Sequence, residues 1–334
     1  MIAGIKSAAA LVAIACVALG VPLGALAQQR AARIPVVAYL SPVVPQNGTD
    51  WRLEAVRQGM RELGYVEGQN FRFEVRWGEG RLDRMPALAR ELVAKKVDVI
   101  VASSSPSYMA ARQATRTIPI VMPVSSDPVG DGIVASLAHP GGNITGLSVM
   151  APELGAKRLQ LLRQMLAANA HAVGVMWNPS YKGMAARFKE AQTVAPAVGM
   201  EVRSLEVSSL RDMEALFEQI SKDPPAGLLL LADPLTLSLR ARIVEFAREK
   251  RLPAIYELRE FVEAGGLMSY GANVGEMHRR SASFVDRILK GAKPGALPIE
   301  QPSKIELTVN LNTARELGLT VPQSILLSAD TVIQ

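Results

Sequence analysis

The sequence is poor in the residue types that metal sites and many catalytic sites use. Its only cysteine is Cys16, and its three histidines are His139, His171 and His278. None of these histidines has a second histidine or a cysteine at the spacing of metal ligands. A disulfide, a thiolate site or a cysteine nucleophile is therefore excluded beyond the N-terminal segment, and a metal site would need carboxylates alone. We expect no metal and no cofactor.

Sequence motifs of nucleotide binding and hydrolysis are also absent. The chain has no Gly-x-Gly-x-x-Gly, no Walker A loop and no Gly-x-Ser-x-Gly elbow. The formal net charge is +6, and the basic residues are interspersed with acidic ones instead of forming arms or stripes. Such a charge distribution gives no support to nucleic-acid binding. We expect a protein that is not an enzyme and has no nucleic-acid partner.

The N-terminus has the pattern of a cleaved signal peptide. Lys6 precedes an apolar run from Ser7 to Ala25, and Ala25-Leu26-Ala27 before Gln28 has the small-x-small form that signal peptidase reads. We predict that residues 1–27 are removed and that the mature chain is secreted to the periplasm. A membrane anchor is disfavoured because the run is rich in alanine and glycine. A lipoprotein would have to be cut before Cys16, in the middle of the apolar run.

The remaining residues alternate between strand and helix patterns, and the order repeats. In the first half, we predict strands at Ile34–Leu40, Phe71–Trp77, Val97–Ala102 and Ile118–Val124, and helices at Trp51–Leu63, Met85–Lys95 and Pro106–Thr115. In the second half, we predict strands at Ala172–Trp177, Glu201–Leu205, Gly227–Leu231 and Pro253–Tyr256, and helices at Leu154–Leu166, Gly183–Ala197, Leu210–Ser221 and Leu235–Lys250. Two α/β lobes, each with a parallel sheet covered on both faces, follow from this order.

The proline- and glycine-rich stretch from Ile118 to Gly146 is predicted to join the two lobes. We expect a short helix at Val129–Leu137, then a strand at Ile144–Val149 that enters the second sheet. Three hinge crossings are predicted, near Ser125–Gly130, near Glu263–Gly266 and in the proline-rich Lys293–Pro302. Lobe 1 would comprise residues 34–145 and about 271–296, and lobe 2 residues 146–270 and about 297–334.

Ligands of open parallel sheets lie at the carboxyl ends of the strands, so the residues there are the candidates for a binding site. They are Ser41, Ser104, Ser105, Ser126, Asp127, Asn178, Asp233, Tyr256 and Tyr270. Ser104 and Ser105 precede a predicted helix, where hydroxyls and free backbone N–H groups suit a carboxylate. Plain N-capping would explain either serine alone.

The acidic and aromatic candidates have two interpretations each. Asp127 and Asp233 can accept an ammonium group, but aspartate before proline is also an ordinary turn or cap residue. Tyr256 and Tyr270 can close over a flat ligand or pack in the core. We predict that Asp233 holds the ammonium group of a zwitterion and that the two serines hold its carboxylate. An Asp233→Asn variant should then lose affinity but keep its stability.

Four segments carry a family resemblance. They are Arg61–Asn70, Asp127–Gly130, Pro140–Gly146 and Glu260–Gly271. The chain, from about Ile34 to Val332, resembles the periplasmic substrate-binding proteins of ABC transporters, in the branch that includes tryptophan- and tyrosine-binding members. The resemblance implies a type I periplasmic-binding-protein fold, which is α/β with two doubly wound parallel-sheet lobes joined by a three-crossing hinge.

The resemblance also implies a function. Such a protein captures a small solute, here an aromatic or another amino acid, in the inter-lobe cleft by hinge closure. It works as a monomer and delivers the solute to the permease subunits of an importer in the inner membrane. The alternative is a ligand-sensing module that partners a membrane signalling receptor, and the chain itself does not separate the two.

Overall fold

The computed structural model describes residues 33–43, 50–125, 127–149, 152–180, 183–302 and 304–334. The predicted signal peptide, its cleavage site and Ser126 lie outside these ranges. Every strand and helix described below belongs to one compact unit, Pro35–Gln334. No helix within the described ranges is both long enough and apolar enough to cross a membrane.

The strands alternate with helices along the chain, as the sequence predicts. The strands are β1 Val36–Ser41, β2 Arg72–Trp77, β3 Val99–Ala102, β4 Ile120–Met122, β5 Ile144–Gly146, β6 Ala172–Trp177, β7 Glu201–Glu206, β8 Gly227–Leu230, β9 Ala254–Tyr256, β10 Met268–Ala272, β11 Ile305–Asn310 and β12 Thr331–Ile333. The helices are α1 Trp51–Glu62, α2 Met85–Ala94, α3 Ser105–Ala114, α4 Pro152–Met165, α5 Met184–Val194, α6 Leu210–Lys222, α7 Pro234–Ser238, α8 Arg240–Glu249, α9 Arg259–Glu263, α10 Val274–Leu289, α11 Leu311–Glu316 and α12 Gln323–Ser328.

These strands form two sheets. The first has the order β2-β1-β3-β4-β5, and the second has the order β12-β11-β10-β9-β8-β6-β7. The segment β7-β6-β8-β9-β10 of the second sheet repeats the order of the first, which confirms the predicted repeat. All pairs are parallel except β10 with β11, which is antiparallel.

The central strands are buried on both faces, which explains why β1, β3 and β8 read as nearly continuous apolar runs. Successive side chains of a strand point to opposite faces. In β1, Val36 and Leu40 accordingly belong to one apolar cluster, and Val37 and Tyr39 belong to the cluster on the other face. Two further clusters cover the faces of the second sheet. Each sheet therefore has its own core.

Two predictions about the joining stretch are wrong. The strand at Ile144 does not enter the second sheet, because it pairs in parallel with Ile120 of β4 at the edge of the first. The residues predicted as a short helix form turns, with the N–H groups of Ile133 and Val134 both donating to the carbonyl of Pro128. Gly132 has φ +65, a left-handed conformation that interrupts a helix.

The chain crosses between the sheets in three places. The first crossing follows Leu147 and leads from the first sheet to the second. The second crossing follows β10 and returns the chain to the first lobe, where α10 packs on α1. The third crossing follows Glu300 and leads back to the second sheet. Leu147 and Glu300 form a parallel bridge, with the N–H of Ser148 donating to the carbonyl of Glu300 at 2.9 Å. The crossing in the proline-rich tail is thus confirmed.

The other two predicted crossings are misplaced. The turn at 127–130 lies within the first lobe, since β5 follows it in the same sheet as β4. The turn at Glu263–Gly266 precedes β10, which is still part of the second sheet. Four smaller differences concern the second lobe: the predicted helix Leu235–Lys250 is divided at Leu239 into α7 and α8, and α9, α12 and β12 were not predicted.

Candidate ligand-binding site

A cavity of about 610 Å³ lies between the carboxyl ends of the two sheets. The loops after β1 and β3 supply Pro42 and Ser103 from the first lobe, and those after β8 and β9 supply Ala232 and Glu257 from the second. Parallel strands direct these loops to one edge of each sheet, which is the usual position of a ligand in such folds. A volume of this size holds a small organic molecule.

The first wall of the cavity contains the N-terminus of α3. Ser104 occupies the N-cap position, yet its side chain accepts no backbone hydrogen bond from the helix, and its Oγ lies 3.3 Å from Oγ of Ser107. Oγ of Ser105 lies 2.6 Å from Oη of Tyr108, which in turn lies 3.3 Å from Oγ of Ser125. Burial raises the pKa of Tyr108, so its hydroxyl stays protonated and takes part in this network as a neutral group. Ser103, Ser104, Ser105 and Ser125 all line the cavity.

Asp127 also lines this wall, and its carboxylate stabilises a turn of the backbone. Its Oδ1 accepts the N–H of Gly130 at 2.8 Å, and the residue is exposed. A side chain at position 130 would collide with this carboxylate, because a Cβ there would lie 2.1 Å from Oδ2 of Asp127. The turn interpretation of Asp127 therefore agrees with the structure.

The second wall carries a buried ion cluster that sequence reasoning did not find. Arg158 Nη1 of α4 donates to Glu257 Oε1 at 2.8 Å, and Arg187 of α5 pairs with the same oxygen. Glu257 Oε2 accepts the N–H of Ala232 at 2.8 Å, and Arg158 Nε donates to the carbonyl of Tyr270 at 2.7 Å. These bonds join α4 and α5 to the residues that follow β8 and β9 and to the middle of β10.

The charges in the cluster offset the cost of burying Glu257, whose side chain is 5 % exposed. Burial alone would raise the pKa of Glu257, but Arg187 and Arg158 outweigh it and lower the pKa. Burial also lowers the pKa of Arg158, although an arginine keeps its charge at any ordinary pH. The backbone must approach closely here, because a Cβ at Gly271 would lie 2.0 Å from the carbonyl oxygen of Glu257.

Glu190 lies beside this cluster and also lines the cavity. Its Oε1 is buried and has no hydrogen-bond partner among the described residues. Burial raises the pKa of Glu190, and the charges of Arg187 and Arg158 offset this only in part. Gly155 of α4 leaves room for the carboxyl group, since a Cβ there would lie 2.6 Å from Oε1.

Asp233 is both a helix cap and a lining residue. Its Oδ1 accepts the N–H of Thr236 at 2.7 Å and the Oγ1 hydroxyl of the same residue at 2.8 Å, in a capping box at the start of α7. Its Oδ2 accepts Nδ2 of Asn178 at 2.5 Å. A carboxylate offers about four lone-pair sites, so three filled sites leave one for a ligand. The cap is thus observed, and the ligand contact stays a prediction.

Four other predicted residues, all within the described ranges, do not line the cavity. Ser41 and Asn178 are buried behind it, where Asn178 holds Asp233 and caps the N–H of Ser180 at 3.0 Å. Tyr256 is 1 % exposed and stacks on Phe261 in a core cluster, so its interpretation as a ligand contact gives way to core packing. The side chain of Tyr270 packs against the apolar cluster on the other face of the same sheet. Only its backbone carbonyl contributes to the site, by accepting the hydrogen bond from Arg158 Nε.

His278 of α10 is a further lining residue that the sequence did not indicate as part of a site. It is fully buried, and its Nδ1 lies 2.8 Å from the carbonyl of Val274. Burial, together with the nearby charge of Arg52, lowers the pKa of His278 to about 3, so the ring is neutral at physiological pH. Within the described ranges, no three His, Cys, Asp or Glu side chains are grouped so that they could hold a metal ion.

Comparison with known proteins identifies the family. Residues 37–333 match the family described as ABC transporter substrate binding protein. The chain belongs to this family. It is 26 % identical over 294 residues to a tyrosine-binding protein of Clostridioides difficile, an alignment that covers 88 % of this chain and 82 % of the relative.

Solved structures of two relatives share the fold. An ABC domain from Streptococcus pneumoniae in complex with L-Trp is 25 % identical, with a TM-score of 0.82 over 90 % of this chain and 99 % of that one. A conserved domain protein from Vibrio cholerae is 27 % identical, with a TM-score of 0.81 over 90 % of this chain and all of that one. The substrate-binding protein therefore has the two-lobed type I fold that its resemblance implied.

Proposed function

We propose that this substrate-binding protein is the periplasmic solute receptor of an ABC importer and that its ligand is an amino acid. It is secreted through the signal peptide of residues 1–27, acts as a monomer and transfers its ligand to the permease subunits in the inner membrane. The observation that carries the proposal is the cavity between the two sheets, with polar groups from both lobes on its walls. The tyrosine-binding relative and the relative with bound L-Trp support an amino acid as the ligand.

The polar groups of the cavity suit a zwitterion. Ser104 and Ser105, at the positive end of α3, would hold the carboxylate, since a helix N-terminus favours negative charge. The open lone-pair site of Asp233, on the facing wall, would hold the ammonium group. A ligand bound to both walls favours the closed arrangement of the lobes, because only that arrangement satisfies both of its charges.

The lobes would move about the three crossings. We propose that lobe 1 comprises residues 35–147 and 274–300 and lobe 2 residues 152–272 and 304–334, because these ranges follow the membership of the two sheets and the packing of α10 on α1. The segments between them are short, so few residues would absorb the φ/ψ change of closure.

A thermal-shift screen tests the proposed function. The mature protein is heated with each of the twenty L-amino acids, with aromatic acids and with small peptides. A ligand at about 100 times its dissociation constant adds about 2.7 kcal/mol to the free energy of unfolding, which raises the melting temperature measurably. If none of the amino acids stabilises the protein, the proposal of an amino acid ligand is wrong, whether or not an aromatic acid or a peptide does.

A further inference from the structure

The arginine cluster on the second wall of the cavity carries more positive charge than the one carboxylate paired with it. Two arginines, Arg158 and Arg187, share one ionised partner, Glu257, and both pair with the same oxygen of it. A second carboxyl group, that of Glu190, also acts on both arginines. Its raised pKa and its unpartnered Oε1 make it a poor counter-charge.

The two arginines differ in how many of their N–H donors already have a strong acceptor. Arg158 is 9 % exposed and is held by Glu257 and by the carbonyl of Tyr270, so it supports the fold of the second lobe. Arg187 is 26 % exposed and lines the cavity. Besides its pairing with Glu257, Arg187 donates from Nη1 to the thioether of Met184 at 3.4 Å. Since a guanidinium has five N–H donors and sulfur is a weak acceptor, Arg187 keeps donors for a ligand.

An arginine with free donors at the wall of a cavity is suited to a carboxylate, which it can bind through two parallel hydrogen bonds. The start of α3, on the wall of the other lobe, already takes one carboxylate under the proposed function. We propose that Arg187 binds a second carboxylate of the ligand, so that the preferred ligands are amino acids with an acidic side chain, aliphatic or aromatic. This inference rests on the proposed function and specifies the class of its ligand.

Two pairs of ligands isolate the second carboxylate. L-glutamate and L-glutamine have nearly the same shape, and 4-carboxy-L-phenylalanine adds one acid group to L-phenylalanine. Isothermal titration calorimetry gives the affinity of the mature protein for all four. We expect the acidic member of at least one pair to bind at least about tenfold more tightly than its neutral partner, because a charge-assisted hydrogen bond is gained.

Variants assign the preference to Arg187. Arg187→Gln should remove the preference for the acidic ligand, and Arg187→Lys, which keeps the charge, should retain part of it. Arg242→Gln is the matched control, because Arg242 is an exposed arginine of α8 that pairs with Glu214 at 3.3 Å outside the cavity. It should leave the preference unchanged. Melting temperatures of the three variants show that each is folded.

The outcomes separate this inference from the proposed function. If the neutral members bind as tightly as the acidic ones, or if Arg187→Gln keeps the preference, the inference is wrong and the amino acid receptor stands. If none of the four ligands binds but the thermal-shift screen finds an amino acid without an acidic side chain, the inference is again wrong. If no amino acid binds at all, both proposals fall.

Discussion

The contact between Asp233 and Asn178 allows the capping role of Asp233 to be separated from a role in ligand binding. In an Asp233→Asn variant, the amide can accept the N–H of Thr236 or the Nδ2 donor of Asn178, but not both. Either orientation places two donors against each other in a site where Asp233 and Asn178 are 6 % and 7 % exposed. The variant must therefore lose a buried, charge-assisted hydrogen bond.

The loss can be estimated from the burial and the charge. A hydrogen bond to a charged group contributes about 1.5–3 kcal/mol, and an unpaired buried donor costs a similar amount. We expect Asp233→Asn to lower the free energy of unfolding by about 2–3 kcal/mol and the melting temperature by about 4–10 °C. This estimate differs from the sequence-based expectation of unchanged stability, because that expectation did not include the contact between Asn178 and Asp233.

A second substitution, Asn178→Asp, restores the pairing when it is added to Asp233→Asn. The carboxylate introduced at position 178 accepts the N–H of Ser180 and also accepts a donor from the amide introduced at position 233. The oxygen of that amide is then free to accept the N–H of Thr236, so no two donors face each other. Thermal unfolding of the wild type, both single variants and the double variant measures this coupling. We expect the double variant to recover most of the lost stability.

The same variants test the ligand contact. The exchange moves the negative charge from position 233, which lines the cavity, to position 178, which does not. If Asp233 binds the ammonium group, the double variant should be stable yet bind an amino acid about 2–5 kcal/mol more weakly in calorimetry. A double variant with wild-type affinity would show that Asp233 is only a cap. A single variant with unchanged melting temperature would refute the reasoning from Asn178.

Three further predictions concern the N-terminus of the secreted chain, the closure of the lobes and the buried His278. Intact-mass measurement of periplasmic material should show a chain that starts at Gln28, and a lipid-modified species that starts at Cys16 would contradict this. Small-angle scattering should give a smaller radius of gyration with a saturating amino acid ligand, and an unchanged value for a confirmed ligand would count against closure. The folded-state pKa of His278 is about 3, below the unfolded value of about 6.5, so its contribution to stability is full above about pH 6.5 and falls as the pH is lowered. Protonation of His278 in the unfolded chain should therefore lower the free energy of unfolding by about 2 kcal/mol between about pH 7 and about pH 5. His278→Gln should abolish this decrease. His139→Gln, at an exposed site, should retain it.

Much of the fold was predictable because hydrophobic periodicity is a local property. The apolar runs of β1, β3 and β8 and the helix spacing of α1 identify their elements without knowledge of the partners. Ser104 and Ser105 were placed at the cavity by the same reasoning, since the loop after a parallel strand has a known position. The edge strand β5 was assigned to the wrong sheet, because a strand of three residues does not specify which edge it pairs with.

The sequence by itself determined the order of most elements, the repeat of the two lobes and some of the loops that face the cavity, among them the one with Ser104 and Ser105. Only the tertiary structure decided which charges meet there. Arg158 and Arg187 lie on α4 and α5, where a charged residue in a helix pattern usually indicates a solvated face. Arg158 contacts Glu257 across 99 positions of the chain, and Arg187 reaches the same carboxylate from the next helix. Such contacts depend on how helices pack over a sheet, which no local pattern records.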